Sequence, residues 1–148
     1  MPEEEAIEQA REDEREGKSP STQAGEFVRE EVEHIRKGEH GARSPEQAIA
    51  IGLSKARRAG VELPPPKRGP QRIKRQAKRD LAEGRAGRRK KPSRKRSRAT
   101  KRALKRESRR SASRRSLSKH AKRAAGQRST RSRSAAAKKA ARTRKRRR

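Results

Sequence analysis

The sequence has no cysteine, tryptophan or tyrosine, and its single phenylalanine is Phe27. The lack of cysteine excludes disulfides, thiolate zinc sites and a thiol nucleophile, and leaves no trace of redox compartment. The lack of aromatic rings from residue 67 onward removes the platforms on which unpaired bases stack, which argues against RRM-like or OB-like recognition of single strands. No run of 18 apolar residues occurs, so nothing reads as a membrane span. The first ten residues, MPEEEAIEQA, are acidic and lack an apolar core, so they do not read as a secretory signal. Hydrophobic residues make up only 25% of the 148, too few for a core of that size, and the charge would oppose compaction. Acidic residues also become scarce: 13 of the 18 fall within residues 1–40 and 3 within 67–148.

The abundant residues are bases. Lys and Arg number 48 and the formal net charge is +30. Residues 1–40 carry −7, residues 41–66 carry +2 and residues 67–148 carry +35. The chain therefore reads as an acidic leader over 1–18, a two-helix module over 19–63, a proline-rich linker over 64–70 and a basic low-complexity tail over 71–148. Such asymmetry is how a nucleic-acid arm attached to something else looks in sequence.

The leader reads as a fraying helix or a disordered run. Its Glu8/Arg11 and Glu12/Arg15 pairs add only about 0.2–0.5 kcal/mol each. As a functional element it would mask the tail, and as a bland one it is a solvated charge run. The module has two proline-initiated helix starts, Ser19-Pro20 and Ser44-Pro45. Ser44 with Gln47 has capping-box spacing, and Glu46 suits the positive end of a helix. The first helix is predicted over about Thr22–Lys37, with Phe27, Val28, Val32 and Ile35 inward and Gly38 as its stop. The second is predicted over Pro45–Ala59, with Ile49, Ile51, Leu53 and Ala56 inward and Gly60 beyond it. The short intervening linker favours an antiparallel hairpin. So small a core is expected to be marginal, and either to dimerise through Phe27, Val28, Ile49 and Leu53 or to order on an unknown protein partner. Pro64-Pro65-Pro66 reads as a stiff spacer.

In the tail, Ile73/Ala77/Leu81, Leu117/Ala121/Ala124 and the Ala135–Ala141 segment give helical patches expected to form only on phosphates, since their bases repel one another in free solution. The fold-class expectation is thus a mostly disordered chain with short α-helices, one small helical hairpin near the N-terminus and no β-sheet. Binding falls to Arg88, Arg89, Lys90, Lys91, Arg94, Lys95, Arg96, Lys101, Arg102, Arg144, Lys145, Arg146, Arg147 and Arg148. Contacts of this kind are driven by counterion release and carry no sequence information. Lys67-Arg68-Gly69-Pro70 lacks the second arginine of an AT-hook. The Arg-Ser steps between Ser93 and Ser134 are too diluted for a splicing-type tail, and serine reads there as a small solvating spacer.

No catalytic residue, cofactor or metal site is expected, and the chain does not read as an enzyme. P-loop and nucleophile-elbow patterns are absent. His34 and His40, six apart across a glycine, read as solvated surface residues, and His120 stands alone among bases.

Residues 18–69, above all Gln47 to Gly60 (QAIAIGLSKARRAG), resemble a family of small bacterial proteins known as a domain of unknown function. The resemblance implies a bacterial source and no activity. The tail is similar to the basic arms of linker histones and bacterial histone-like proteins, although it is richer in arginine. The resulting expectation is a non-specific, histone-like DNA-binding protein that compacts or bridges DNA, cytoplasmic and nucleoid-associated, or nuclear in a eukaryote. RNA or ribosome binding, or an adaptor whose hairpin holds a protein partner, are the alternatives.

Overall fold

Both proline-initiated starts nucleate helices. The computed structural model describes residues 4–87 and 93–146. Its helices are α1 (Glu4–Arg15), α2 (Pro20–Lys37), α3 (Pro45–Arg58), α4 (Gln71–Arg85), α5 (Arg94–Arg106), α6 (Arg114–Gly126) and α7 (Thr130–Arg146), with a 3-10 turn at Arg109–Ala112. Among the described residues there is no strand. Ser44 caps α3 by accepting from the Gln47 amide, and the Gln47 side chain accepts from the amide of Arg43, one residue earlier than a strict capping box would have it. Ser19 makes no such cap bond. Gly38 ends α2 in the left-handed conformation, φ 86°, with its amide directed at the His34 and Ile35 carbonyls.

Helix occupies 77% of the described chain, which overturns the expectation of a mostly disordered protein with one hairpin. The physical reason is propensity. Alanine, arginine and lysine are among the best helix formers, and repulsion between like charges at i, i+4 costs only about 0.2–0.5 kcal/mol per pair. Most glycines and the described prolines fall at junctions or in a first helical turn, where they end one helix and start the next.

The chain divides into two compact units, Met1–Ser113 and Arg114–Arg148. In the first, α2 packs on α1 and α3, and α3 packs on α4. The core is small and largely alanine: Ala6 and Ala10 from α1, Ala24 and Phe27 from α2, Ala56 from α3, and Val61, with Ile7, Leu53, Ala59 and Leu63 around them. Ala6 and Ala10 are buried, so α1 belongs to the fold and is not a solvated charge run. Of the residues predicted to face inward, Phe27, Val32, Ile35 and Ala56 are buried, and Val28, Ile49, Ile51 and Leu53 are half-buried. Phe27 is fully enclosed within the chain's own core, so it has no surface to offer a partner.

Small residues permit the closest approaches. A Cβ at Gly52 would stand 2.7 Å from the Val28 Cα, and one at Gly84 would stand 2.0 Å from the Arg57 carbonyl oxygen. Glycine lowers helix propensity but lets α3 meet α2, and α4 meet α3, backbone to backbone. The chain does not leave the fold at Pro64-Pro65-Pro66. Arg57 donates to the Leu63 and Pro64 carbonyls, and α4 returns along α3. Of the predicted stripe on α4, Ala77 is buried and Leu81 half-buried, while Ile73 is exposed.

Buried charges hold α4 in place. Asp80, 1% exposed, accepts from Ser54 Oγ at 2.7 Å, Arg58 Nε at 2.8 Å and Gln76 Nε2 at 2.9 Å. A single carboxylate thus joins two residues of α3 to α4. At the edge, Arg85 Nε donates to Glu62 Oε1 at 2.8 Å. That contact holds the Glu62 carboxyl below its ordinary value and raises Arg85. Farther along, the Gly41 amide donates to the Leu104 carbonyl, the Ala42 amide to the Ser108 carbonyl and Arg36 Nε to the Ala112 carbonyl. The segment after α5 is thereby fastened across the α2–α3 linker.

In the second unit, α6 and α7 bury no residue. Leu117 and Ala124 on α6 are half-buried, and every described residue of α7 is exposed. No described helix is long and apolar enough to cross a membrane.

Candidate nucleic-acid interface

A helix returns each residue to the same face after three or four positions, so the arrangement of bases depends on their spacing. On α5, Arg94, Arg98, Lys101 and Lys105 fall at i, i+4, i+7 and i+11 and form one ridge. Lys95, Arg102 and Arg106 form a second row beside it. Ser97 and Leu104, the two half-buried residues of the helix, flank this ridge, four residues before and three residues after Lys101. The Leu104 carbonyl accepts from the Gly41 amide, while every base of α5 is exposed. On α4, Arg72, Arg75 and Arg79 fall at i, i+3 and i+7 and line one shallow groove. On α7, Arg131, Lys138, Arg142 and Lys145 fall at i, i+7, i+11 and i+14.

Electrostatics separates these bases from those nearer the N-terminus. In the early part of the chain, bases are used internally: Lys18 pairs with Asp13, Arg29 with Glu26, Lys55 with Glu30 and Glu31, Arg58 with Asp80, and Arg85 with Glu62. Burial alone would pull the Lys55 ammonium down, but its two carboxylates outweigh burial and hold it above the ordinary lysine value. No ridge base on α4, α5 or α7 is paired with a carboxylate among the described residues. No acidic residue follows Glu107, while 16 bases lie in residues 114–148. The excess positive charge therefore has no internal counterpart and is presented outward.

At about 1.5 Å per residue the α5 ridge is roughly 16 Å long. One DNA strand presents a phosphate per about 3.4 Å of axis. Four bases thus match about five phosphates of one strand. Such a ridge gives affinity and orientation; base-edge readout would need further groups.

Of the binding residues predicted from sequence, Arg94, Lys95, Arg96, Lys101 and Arg102 lie on α5, and all are exposed. Arg94 and Lys101 belong to the ridge, Lys95 and Arg102 to the row beside it, and Arg96 points another way. Arg144, Lys145 and Arg146 are in the last turn of α7, where only Lys145 is on the ridge. Arg88, Arg89, Lys90, Lys91, Arg147 and Arg148 lie outside the described residues. Arg72, Arg75, Arg79, Arg98, Lys105, Arg131, Lys138 and Arg142 were missed because local charge density, and not helical spacing, singled out the candidates.

His34 and His40 depart from expectation. Both lie at the end of α2 beside Glu31, His34 buried and His40 half-buried, and neither is a solvated surface residue. Gly38 turns the chain so that His40 returns over the last turn of the helix.

Residues 17–68 match the family described as "Family of unknown function (DUF6496)". The span covers α2, α3 and the proline run and stops before α4, so the basic helices lie outside it. No curated protein and no solved structure matches the chain.

Proposed function

We propose that this protein binds duplex DNA without sequence preference, in the manner of a histone-like condensing protein, through basic ridges on folded helices. The observation that carries the reading is the set of ridges on α4, α5 and α7 whose bases pair with no carboxylate among the described residues, in a stretch, 67–148, that holds 38 bases and 3 acids. Rigid helical ridges favour B-form DNA over RNA. The B-DNA major groove admits a helix, whereas that of A-form RNA is too deep and narrow to be read by side chains. The absence of aromatic residues beyond residue 66 also weighs against single-strand recognition. Two separate basic units in one chain suit bridging of two duplex segments.

Fluorescence anisotropy of the full chain with a mixed-sequence duplex and with a structured RNA, at several salt concentrations, tests this. Engagement of the four-base ridges of α5 and α7 predicts a log–log salt slope of about −7 on the duplex, from about −0.9 per phosphate contact. Affinity should be independent of duplex sequence and tighter than for the RNA. A slope shallower than about −2, or tighter binding to the RNA, would sink the proposal.

A further inference from the structure

The chain holds one cluster that DNA binding does not use. Glu31 and His34 stand at i, i+3 on α2, and His40 is brought back to them by the left-handed turn at Gly38. One ligand-type atom from each of the three lies within 4.8 Å of the others. Glu31 is 1% exposed, and its Oε1 has no hydrogen-bond donor directed at it. Lys55 Nζ lies 2.8 Å from Oε2, which fixes the carboxylate from its far side and leaves Oε1 facing the histidines.

The tautomer of His40 follows from its neighbour. Its Nδ1 is 3.1 Å from the Gly41 carbonyl oxygen. A carbonyl only accepts, so Nδ1 carries the hydrogen, and the neutral ring has its lone pair on Nε2. That Nε2 is 3.3 Å from Glu31 Oε1. With Lys55 on Oε2, the free Oε1 and the Nε2 lone pair face each other, an arrangement that suits a cation held between them. Two ligands held at about 2.0–2.1 Å by a tetrahedral zinc ion are about 3.3–3.4 Å apart. The His40–Glu31 separation already has that value, and from within 4.8 Å His34 needs to approach by at most about 1.5 Å, within reach of a side-chain torsion.

We propose that Glu31 Oε1, His40 Nε2 and His34 bind a divalent transition-metal ion, with zinc the best match. Two imidazoles and a carboxylate are borderline ligands suited to Zn²⁺. The outer contacts are present as well. The Gly41 carbonyl orients His40, Lys55 orients Glu31, and Glu39 Oε2 lies 3.9 Å from His34 Nε2, within reach of a fourth position. Two further carboxylates, Glu30 and Glu39, keep the surroundings negative despite Lys55. The ion would pin His40 and Gly41, the point at which the chain after α5 is fastened to the linker.

The full chain, stripped of metal with a chelator, is titrated with Zn²⁺ by calorimetry and with Co²⁺ by visible absorption. One equivalent is expected to bind with micromolar or tighter affinity, to give the intense visible bands of tetrahedral cobalt and to raise the melting temperature. His40→Asn and His34→Asn should each weaken binding by about 100-fold or more and abolish the melting shift, while His120→Asn changes neither. Glu31→Gln should behave like the histidine variants. If it fails to fold by circular dichroism, the two histidine variants decide. No binding below millimolar metal overturns the proposal. Stoichiometric binding that survives both histidine substitutions overturns it equally, by placing the ion elsewhere.

Discussion

Replacing Asp80 tests whether α4 is truly part of the fold. The carboxylate accepts three hydrogen bonds, from Ser54 and Arg58 on α3 and from Gln76 on α4. Hydrogen bonds to a charged group contribute about 1.5–3 kcal/mol each, so three set an upper bound of about 4.5–9 kcal/mol. Arg58 is half exposed and recovers water when its partner is lost, which lowers the figure. Ser54 and Gln76 are only partly accessible and recover less. Asp80→Ala is therefore expected to cost about 3–5 kcal/mol, the usual cost of breaking a buried charge pair by removing one partner. Asp80→Asn keeps the shape. Its amide oxygen still accepts from Arg58 and Gln76, and Ser54 can turn its hydroxyl to accept from the new amide, so about 1–2 kcal/mol is expected. Urea unfolding followed by circular dichroism gives both numbers, and hydrogen exchange shows whether α4 amides lose protection first. A cost below about 1 kcal/mol for Asp80→Ala, with α4 exchange unchanged, would refute the docking of α4 and return the chain after residue 63 to a tethered tail.

Three further outcomes follow from the same packing. Gly84→Ala should destabilise the first unit by more than the ~1 kcal/mol gained in helix propensity, because the new methyl meets the Arg57 carbonyl, and thermal melts of the variant will show this. Lys55→Met should cost about 3–5 kcal/mol in denaturant titrations, since it leaves Glu30 and Glu31 together without their cation. Glu62 is held below its ordinary value by Arg85, so this pair contributes in full above the ordinary carboxylate range and is lost as pH falls through the depressed value. Arg85→Gln should bring the Glu62 titration, followed by NMR, up toward the ordinary range.

The parts of this fold legible in the sequence were those specified by local signals. The Ser44 cap, the Gly38 stop and the proline starts place α2 and α3 within a few residues of their observed ends. What escaped was specified by packing between small residues. The buried face of α1 is Ala6 and Ala10, which hardly register as apolar, so an acidic sequence hid a core helix. Gly52 and Gly84 lower helix propensity and are points of contact between helices, which no local pattern announces. Asp80, one of three acids after residue 66, carries no local signal of its role as the buried tie of α4. For the candidate interface, base density found α5 and the end of α7 but did not resolve faces, because a ridge exists only once the segment is helical. The histidine pair was dismissed on helical spacing, which does not apply across the turn at Gly38.

The central claim is that bases act as ridges on folded helices and not as a disordered cloud of charge. Two double variants of α7 test it directly, each removing two charges: Arg131→Gln with Arg142→Gln on the ridge, and Arg133→Gln with Arg144→Gln on the opposite side. Salt titrations of duplex binding should show the slope flattened by about 1.8 for the ridge pair and by well under 1 for the other. Equal flattening by both pairs, or no effect of either, would contradict the account.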